Sequence, residues 1–282
     1  MGDKTFAHFQ GARQTPCGPL YDGRVSRRSR EPIYRTAVVG GLAFFRFLRL
    51  SRRESGLENI PAEGGAVLAM THFGYLEFAL IEWSVWLYNR RRIRFLATKS
   101  VFEKPVLGTV MRGMHHIPVD MTAGADAFAK AIEALRAGEL IGVFPEAGVS
   151  ASFTVRELKT GAVRLAAEAG VPVIPVAVWG GQRLLTKNRK IRLRDRFGVL
   201  VTFAYGRPVV VTADENVVTV SENLRETMQG LVDELQREYP VDGTGKWWQP
   251  KSLGGTAPTP VEAAEADAAR ARRRQAEADA AE

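Results

Sequence analysis

A histidine followed five positions later by a carboxylate, His72 and Glu77, is the pair in this sequence best suited to move a proton. The pair sits in Thr71-His72-Phe73-Gly74-Tyr75-Leu76-Glu77, after the apolar run Ala66–Met70 and before a helical pattern. On one continuous α-helix two residues so spaced point about 140° apart. They pair only if His72 stands in the loop before the helix and Glu77 in its first turn, a bend that Gly74 makes easy. A first-turn glutamate stays ionised in the field of the helix N-terminus, and a neutral imidazole held by a carboxylate is a competent general base near pH 7. The alternative is a partly buried histidine bonded to backbone, beside an unrelated glutamate.

A second polar cluster, Val143-Phe144-Pro145-Glu146-Ala147-Gly148-Val149-Ser150, closes another apolar run. Parallel α/β sheets gather ligands at the carboxyl ends of their strands, so two such clusters could converge on one cleft. Glu146 is costly in a dry interior without a partner. Taken alone, the cluster reads equally as a Pro-Glu-Ala-Gly turn.

The elements that must position these clusters follow from the hydrophobic pattern. Strands are predicted at Ala66–Met70, Ile93–Ala97, His115–Pro118, Leu140–Phe144, Val173–Val178 and Leu200–Tyr205. Between them lie helical patterns at Tyr75–Tyr88, Val101–Arg112, Gly124–Arg136 and Val155–Glu168, with a further helix at Val220–Glu238 that Pro240 ends. The alternation predicts an α/β fold: a single domain with a mostly parallel central sheet flanked by helices. Residues 32–50 mix Val38, Val39, Phe44, Phe45 and Phe47 with Arg35, Arg46 and Arg49, an interfacial amphipathic helix or a core helix with solvated ends. The domain is expected over residues 31–242, behind a basic, flexible segment 1–30. Residues 243–282 are expected as a tail, disordered or a lone solvated helix, because beyond Thr256 large apolar residues are almost absent.

Composition restricts the class of partner. The 282 residues carry a net charge of +8; the stretch from Gly254 has four arginines against six acids, so the first 253 residues hold +10. That excess suits an anionic partner: nucleic acid, an acidic membrane surface or a phosphorylated substrate. Part of it lies in residues 1–35 and part in Arg90, Arg91, Arg92 and Arg94, a cluster suited to lipid headgroups or to the phosphates of CoA. The lone Cys17 excludes a disulfide framework and a cysteine-clustered metal site, and the histidine spacings match no recognised zinc site, so no metal is expected. Residues 1–30 do not read as a secretory signal, and the apolar stretch from Ala37 is too short to span a bilayer. Neither a phosphate loop nor a Gly-x-Gly-x-x-Gly turn after a strand is present.

Four blocks in order carry a resemblance. His72-x4-Glu77, Gly113-Met-His-His-Ile-Pro-Val-Asp120-Met121, Phe144-Pro-Glu146-Ala-Gly-Val-Ser150 and Val171-Pro172-Val-Ile-Pro175-Val176 resemble the motifs of the glycerolipid acyltransferase family. That family includes the lysophosphatidic acid (1-acylglycerol-3-phosphate) acyltransferases, and the resemblance covers roughly residues 55–210. It implies direct acyl transfer to a hydroxyl, with His72 as base, Glu77 orienting it, and backbone N–H groups near the helix start holding the oxyanion. On the acceptor side it implies Glu146, with Gly148 and Ser150 of the same block. The implied partners are acyl-CoA or acyl-carrier protein as co-substrate, a lysophospholipid acceptor and an anionic membrane surface at the cytoplasmic face, with no cofactor and no nucleic acid.

The resemblance departs at three positions. Glutamate stands at 77 where the family has aspartate, and Met121 and Val149 stand where it has arginines associated with the acceptor phosphate. An apolar side chain cannot replace a guanidinium fork. Other cations are therefore expected to serve, among them Lys99, Arg112, Arg156 and Lys159, with His115 and His116 as further donors. Otherwise the acceptor is another lysophospholipid or a glycolipid, or the chain is a non-catalytic lipid-binding protein on the same fold.

Overall fold

The computed structural model describes residues 31–120, 124–146, 148–212 and 214–279; segment 1–30 and Met121 lie outside the described residues. In chain order the elements are α1 (Pro32–Phe47), β1 (Ser51–Ser55), β2 (Ala66–Met70), α2 (Glu77–Asn89), β3 (Ile93–Thr98), α3 (Lys99–Phe102), α4 (Pro105–Gly113) and β4 (Ile117–Val119). There follow α5 (Ala125–Arg136), β5 (Leu140–Val143), α6 (Gly161–Ala169), β6 (Val173–Trp179), β7 (Leu200–Tyr205), α7 (Val217–Glu238) and α8 (Pro260–Asp279). The strands form one seven-stranded sheet in the order β1-β7-β6-β2-β5-β3-β4. Strands β6, β2, β5, β3 and β4 run parallel; β7 opposes β6, and β1 follows β7. The carboxyl ends of β2, β5 and β6 therefore share one edge of the sheet with the starts of β7 and β1.

The central strands were readable because both their faces are covered. Every residue of β2 and β6 is buried, and a strand covered on two sides reads as an unbroken apolar run. One face packs under α5, α6 and α7 through residues such as Ala131, Leu165 and Met228, the other under α1 and α2 through Phe45, Leu80 and Ile81. The expected α/β class and single mostly parallel sheet are the observed ones.

Three differences have local causes. The helix expected over Val101–Arg112 is split in two, because Pro105 forces Lys104 into an extended conformation (ψ 129°). The helix expected from Val155 starts at Gly161, since Leu158 bridges back to Glu146 as a piece of antiparallel pairing. Strand β1, Ser-Arg-Arg-Glu-Ser, carries no apolar pattern; it is an edge strand held to β7 by backbone pairing.

The expected boundary at residue 242 also moves. Trp248 and Ala257 are buried in the core beside Trp179 and Tyr239, so the segment after α7 belongs to the domain. The solvated helix is confined to α8, which touches the body through Asp267 and Lys187. Glycine and two tryptophans in this stretch let a loop with few other large side chains pack.

Helix α1 is half docked. Tyr34, Val38 and Phe45 are buried, and the Tyr34 hydroxyl accepts the Ile93 N–H at 2.9 Å while lying 3.1 Å from the Ile93 carbonyl. Its opposite side leaves Val39, Phe44 and Phe47 exposed. The arginine cluster expected to face lipid is largely consumed indoors. Arg91 donates to the carbonyls of Pro61, Gly64 and Gly138. Buried Arg94 is gripped by Glu31, Glu139 and the Met114 carbonyl, and Arg92 also reaches Glu31. These guanidiniums fasten α1 and the β2–β3 region together.

Removing one partner from such a buried network leaves uncompensated charge. Arg94→Ala is expected to lower the unfolding free energy by about 3–5 kcal/mol in urea titrations, the range seen for broken buried ion pairs.

Candidate active site

The two motif loops meet at the shared edge. Strand β2 delivers Thr71 and His72, and β5 delivers Phe144, Pro145 and Glu146. Because β2 and β5 are neighbouring parallel strands, residues just past their ends are side by side without any further device. Thr71 is held in the sheet by two bonds to β6, its N–H to Val176 and its hydroxyl from the Val178 N–H.

His72 stands in the loop and Glu77 opens α2, so the bend required for their pairing exists. Nδ1 of His72 lies 3.5 Å from Oε2 of Glu77, at the long margin of a hydrogen bond, and has no closer acceptor among the described residues. The imidazole stacks on Phe144, with ring centroids 4.2 Å apart and planes 27° apart. Its side chain is 19% exposed while that of Glu77 is fully buried. With Nδ1 turned to the carboxylate, Nε2 is the nitrogen left for a substrate. The backbone here is tight: a Cβ on Gly74 would come within 2.9 Å of the Leu185 carbonyl. That carbonyl accepts the Tyr75 N–H, and the Thr186 hydroxyl donates to the Phe73 carbonyl.

The N–H groups of the loop before this helix are already engaged. Phe73 N–H donates to Glu77 at 2.8 Å, and the Gly74 N–H also faces that carboxylate. His72 N–H goes to Glu146 and Tyr75 N–H to Leu185. These four loop amides are thereby spent on positioning His72 and Glu77. Burial raises the Glu77 carboxyl above the usual glutamate range, opposed by the neighbouring His72 and by these N–H groups.

Glu146 is likewise turned inward. Its Oε1 accepts the His72 N–H at 2.8 Å and its Oε2 accepts the Arg156 N–H at 2.9 Å, so the carboxylate ties both loops together instead of presenting itself to an acceptor head. Burial pushes it up to about 7 against those two N–H groups. Ser150 completes the tie, its N–H donating to the His72 carbonyl at 2.8 Å, and its hydroxyl is spent on Ser152 and Thr154. Gly148 holds a φ of 121°, a conformation open to glycine.

The expected cations divide. Arg112 donates to the Phe102 carbonyl and lines a separate cavity of about 640 Å³ with His115 and Glu133, away from the His72 loop. Lys99, at the end of β3, faces Asp120 at 3.7 Å and is largely exposed. His116 is a core residue whose Nδ1 accepts the Phe95 N–H, and burial lowers it to about 4. Lys159 is exposed, its N–H bonded to the Pro145 carbonyl. Val149 is buried. Arg156 does reach the motif: a guanidinium nitrogen stands 3.9 Å from where a Cβ on Gly148 would be. Beside it, Asp267 of α8 is shared by Arg156 at 3.8 Å, Lys187 at 2.7 Å and Arg270. Lys187 was not singled out by any motif, and only its tertiary position brings it here.

A mostly parallel α/β domain with a carboxylate-held histidine at its strand edge is the class these features define. Residues 51–179 match the family model described as Acyltransferase. A 1-acyl-sn-glycerol-3-phosphate acyltransferase of Bacillus subtilis (strain 168) is 32% identical over 136 residues, 47% of this chain and 66% of that protein. An uncharacterised protein of Mycobacterium tuberculosis (strain ATCC 25618 / H37Rv) is 28% identical over 242 residues, 71% of this chain and 66% of that protein. The fold is shared with the crystal structure of the 1-acyl-sn-glycerophosphate (LPA) acyltransferase PlsC from Thermotoga maritima. That match has a TM-score of 0.59 at 24% identity, covering 74% of this chain and 84% of the other. Over residues 51–179 the chain carries an acyltransferase domain, similar to that of the 1-acyl-sn-glycerol-3-phosphate acyltransferases.

The Glu146 carboxyl yields a pH prediction. Its proton is held in the folded protein up to about pH 7 but released near 4.5 when unfolded. Stability therefore falls as pH rises from about 4.5 to 7, by on the order of 3 kcal/mol from this group. Glu146→Gln is expected to flatten that decline in urea unfolding across the window, and, with one acceptor oxygen in place of two, to lower stability overall by about 1–3 kcal/mol.

Proposed function

We propose that the protein is an O-acyltransferase that moves a fatty acyl chain from acyl-CoA or acyl-carrier protein to the hydroxyl of a glycerolipid. The acceptor we favour is 1-acylglycerol-3-phosphate, acylated at a membrane surface in phospholipid synthesis. The observation that carries the reading is the placement of His72: outside the helix, its Nδ1 turned to the buried Glu77, its ring stacked on Phe144 and its other nitrogen without a hydrogen-bond partner among the described residues.

In this reading Nε2 of His72 takes the proton from the acceptor hydroxyl as the oxygen attacks the thioester carbonyl. Glu77 stabilises the imidazolium that forms, its retained negative charge counting for more because it is desolvated. The tetrahedral intermediate then collapses, the C–S bond breaks, and the imidazolium returns the proton to the leaving thiolate. Glu146 and Ser150 fix the His72 backbone, so they act as positioning residues. Arg156, whose guanidinium lies by Gly148, and Lys187, which shares Asp267 with it, suit an acceptor phosphate. Burial of Val149, where the family has an arginine, favours a second reading in which the acceptor is another lysophospholipid or a glycolipid.

Among the described residues no helix is long and apolar enough to cross a membrane. The exposed side of α1 supports contact with the bilayer from one side.

His72→Ala is expected to lower acyl transfer from palmitoyl-CoA by about 10³-fold or more, within the reach of general-base catalysis combined with lost positioning. Its thermal midpoint should stay near the parent value; a parallel loss of fold would assign His72 to the core instead. With purified protein, labelled acyl-CoA and a panel of lysophosphatidic acid, other lysophospholipids and glycolipids, product is expected from lysophosphatidic acid. Product from a glycolipid alone would select the second acceptor, and none from any acceptor would favour a lipid-binding protein.

A further inference from the structure

The connection from β6 to β7 contains the most basic run in the domain, Lys187-Asn-Arg-Lys-Ile-Arg-Leu-Arg-Asp-Arg-Phe197, with six cations against one acid. Lys187 is paired with Asp267 and Arg196 donates to the Ile191 carbonyl, while Arg189 lies over Trp247. Lys190 and Arg192 are exposed and have no acidic partner among the described residues; Arg194 has only its chain neighbour Asp195, at 3.6 Å with both side chains largely in water. Set among these cations are two bare apolar side chains, Leu193 at 56% exposure and Phe197 at 39%.

This run is joined to α1. The Phe197 ring meets Phe47 edge-on at 5.3 Å, and Phe47 is itself 60% exposed. Below them Gly198 N–H donates to the Leu48 carbonyl, and Ser51 N–H to that of Val199. Phe44 and Val39 continue the apolar stripe along α1. The loop also begins on the active site, for Leu185 and Thr186 are the residues that bond the Tyr75 N–H and the Phe73 carbonyl. Since β6 ends and β7 and β1 begin at the sheet edge that carries His72, the loop, the end of α1 and the histidine all lie at that edge.

We propose that residues 190–197, together with the exposed side of α1, form the face by which the protein docks on an anionic lipid bilayer, setting the His72 edge of the sheet against the membrane. The inference rests on the membrane-surface reading above and specifies which residues make the contact. Charge complementarity argues for that occupant: the cations suit acidic headgroups, while Leu193, Phe197 and Phe47 have the depth of an interfacial wedge. Nucleic acid would use the cations but leave this exposed apolar row without a partner. The Arg90–Arg94 cluster, with Arg91 and Arg94 bound internally, is a poorer candidate.

The test uses the full chain and sedimentation with phosphatidylcholine vesicles, with and without phosphatidylglycerol. Each basic residue near an acidic surface is worth about fivefold in affinity. The triple change Lys190→Gln, Arg192→Gln, Arg194→Gln is expected to weaken binding to the anionic vesicles at least tenfold, with an unchanged thermal midpoint. Acyl transfer to detergent-dispersed lysophosphatidic acid should be unaffected. Neutralising Lys130, Arg207 and Arg237, cations carried outside this face, should leave vesicle binding near the parent value. Equal loss in the two triples, full binding by the first, or retention on a DNA duplex without vesicle binding would each overturn the docking face. Because acyl transfer is read on dispersed acceptor, failure of the enzyme reading shows separately from failure of this one.

Discussion

One carboxylate holds the His72 edge of the sheet in shape. Glu146 accepts the backbone N–H of His72 through one oxygen and that of Arg156 through the other. A buried acid that receives two N–H donors cannot shift without orphaning both, and each orphaned group costs about 1–3 kcal/mol. Ser150 returns a bond to the His72 carbonyl, so the loop after β2 is clamped on its donor and acceptor sides alike. The histidine is thus oriented by its own backbone, leaving the ring to answer to Glu77, Phe144 and the edge of Tyr75. A clamp of this kind lets the proposed base stay partly exposed without becoming loose.

The charge of the chain has a different distribution in space than along the sequence. Arg91 and Arg94 look like a surface cluster when read in order, yet they serve as tie rods between α1, β3 and the turn before β5. The planar guanidinium makes this possible, since its five donors can serve several carbonyls and carboxylates together. What is left for an outside anion lies mainly in the stretch after β6. Net charge points to an anionic partner, while which cations are available depends on which ones the fold has already bonded.

The parallel strands were legible because two-sided burial writes itself as apolar runs, and His72 and Glu77 were legible because their spacing admits only one loop-and-helix arrangement. The inward turn of Glu146 was not, since its partner amide belongs to a residue 74 positions away. Strand β1 escaped notice because an edge strand needs only backbone pairing. The packing of Trp248 was hidden by its polar surroundings, and Lys187 by the absence of any local motif. In each case the deciding contact is long-range, and the residue types nearby are silent about it.

Asp267 on α8 lies among Arg156, Lys187 and Arg270, so the chain brings its own anion to the cations beside the Phe-Pro-Glu turn. A tethered group acts at an effective concentration in the millimolar range for a short flexible link. Any free anion drawn to Arg156 and Lys187 meets a resident competitor that dilution does not remove. The strength of those cations toward a solute is accordingly set in part by how firmly the C-terminal helix stays seated.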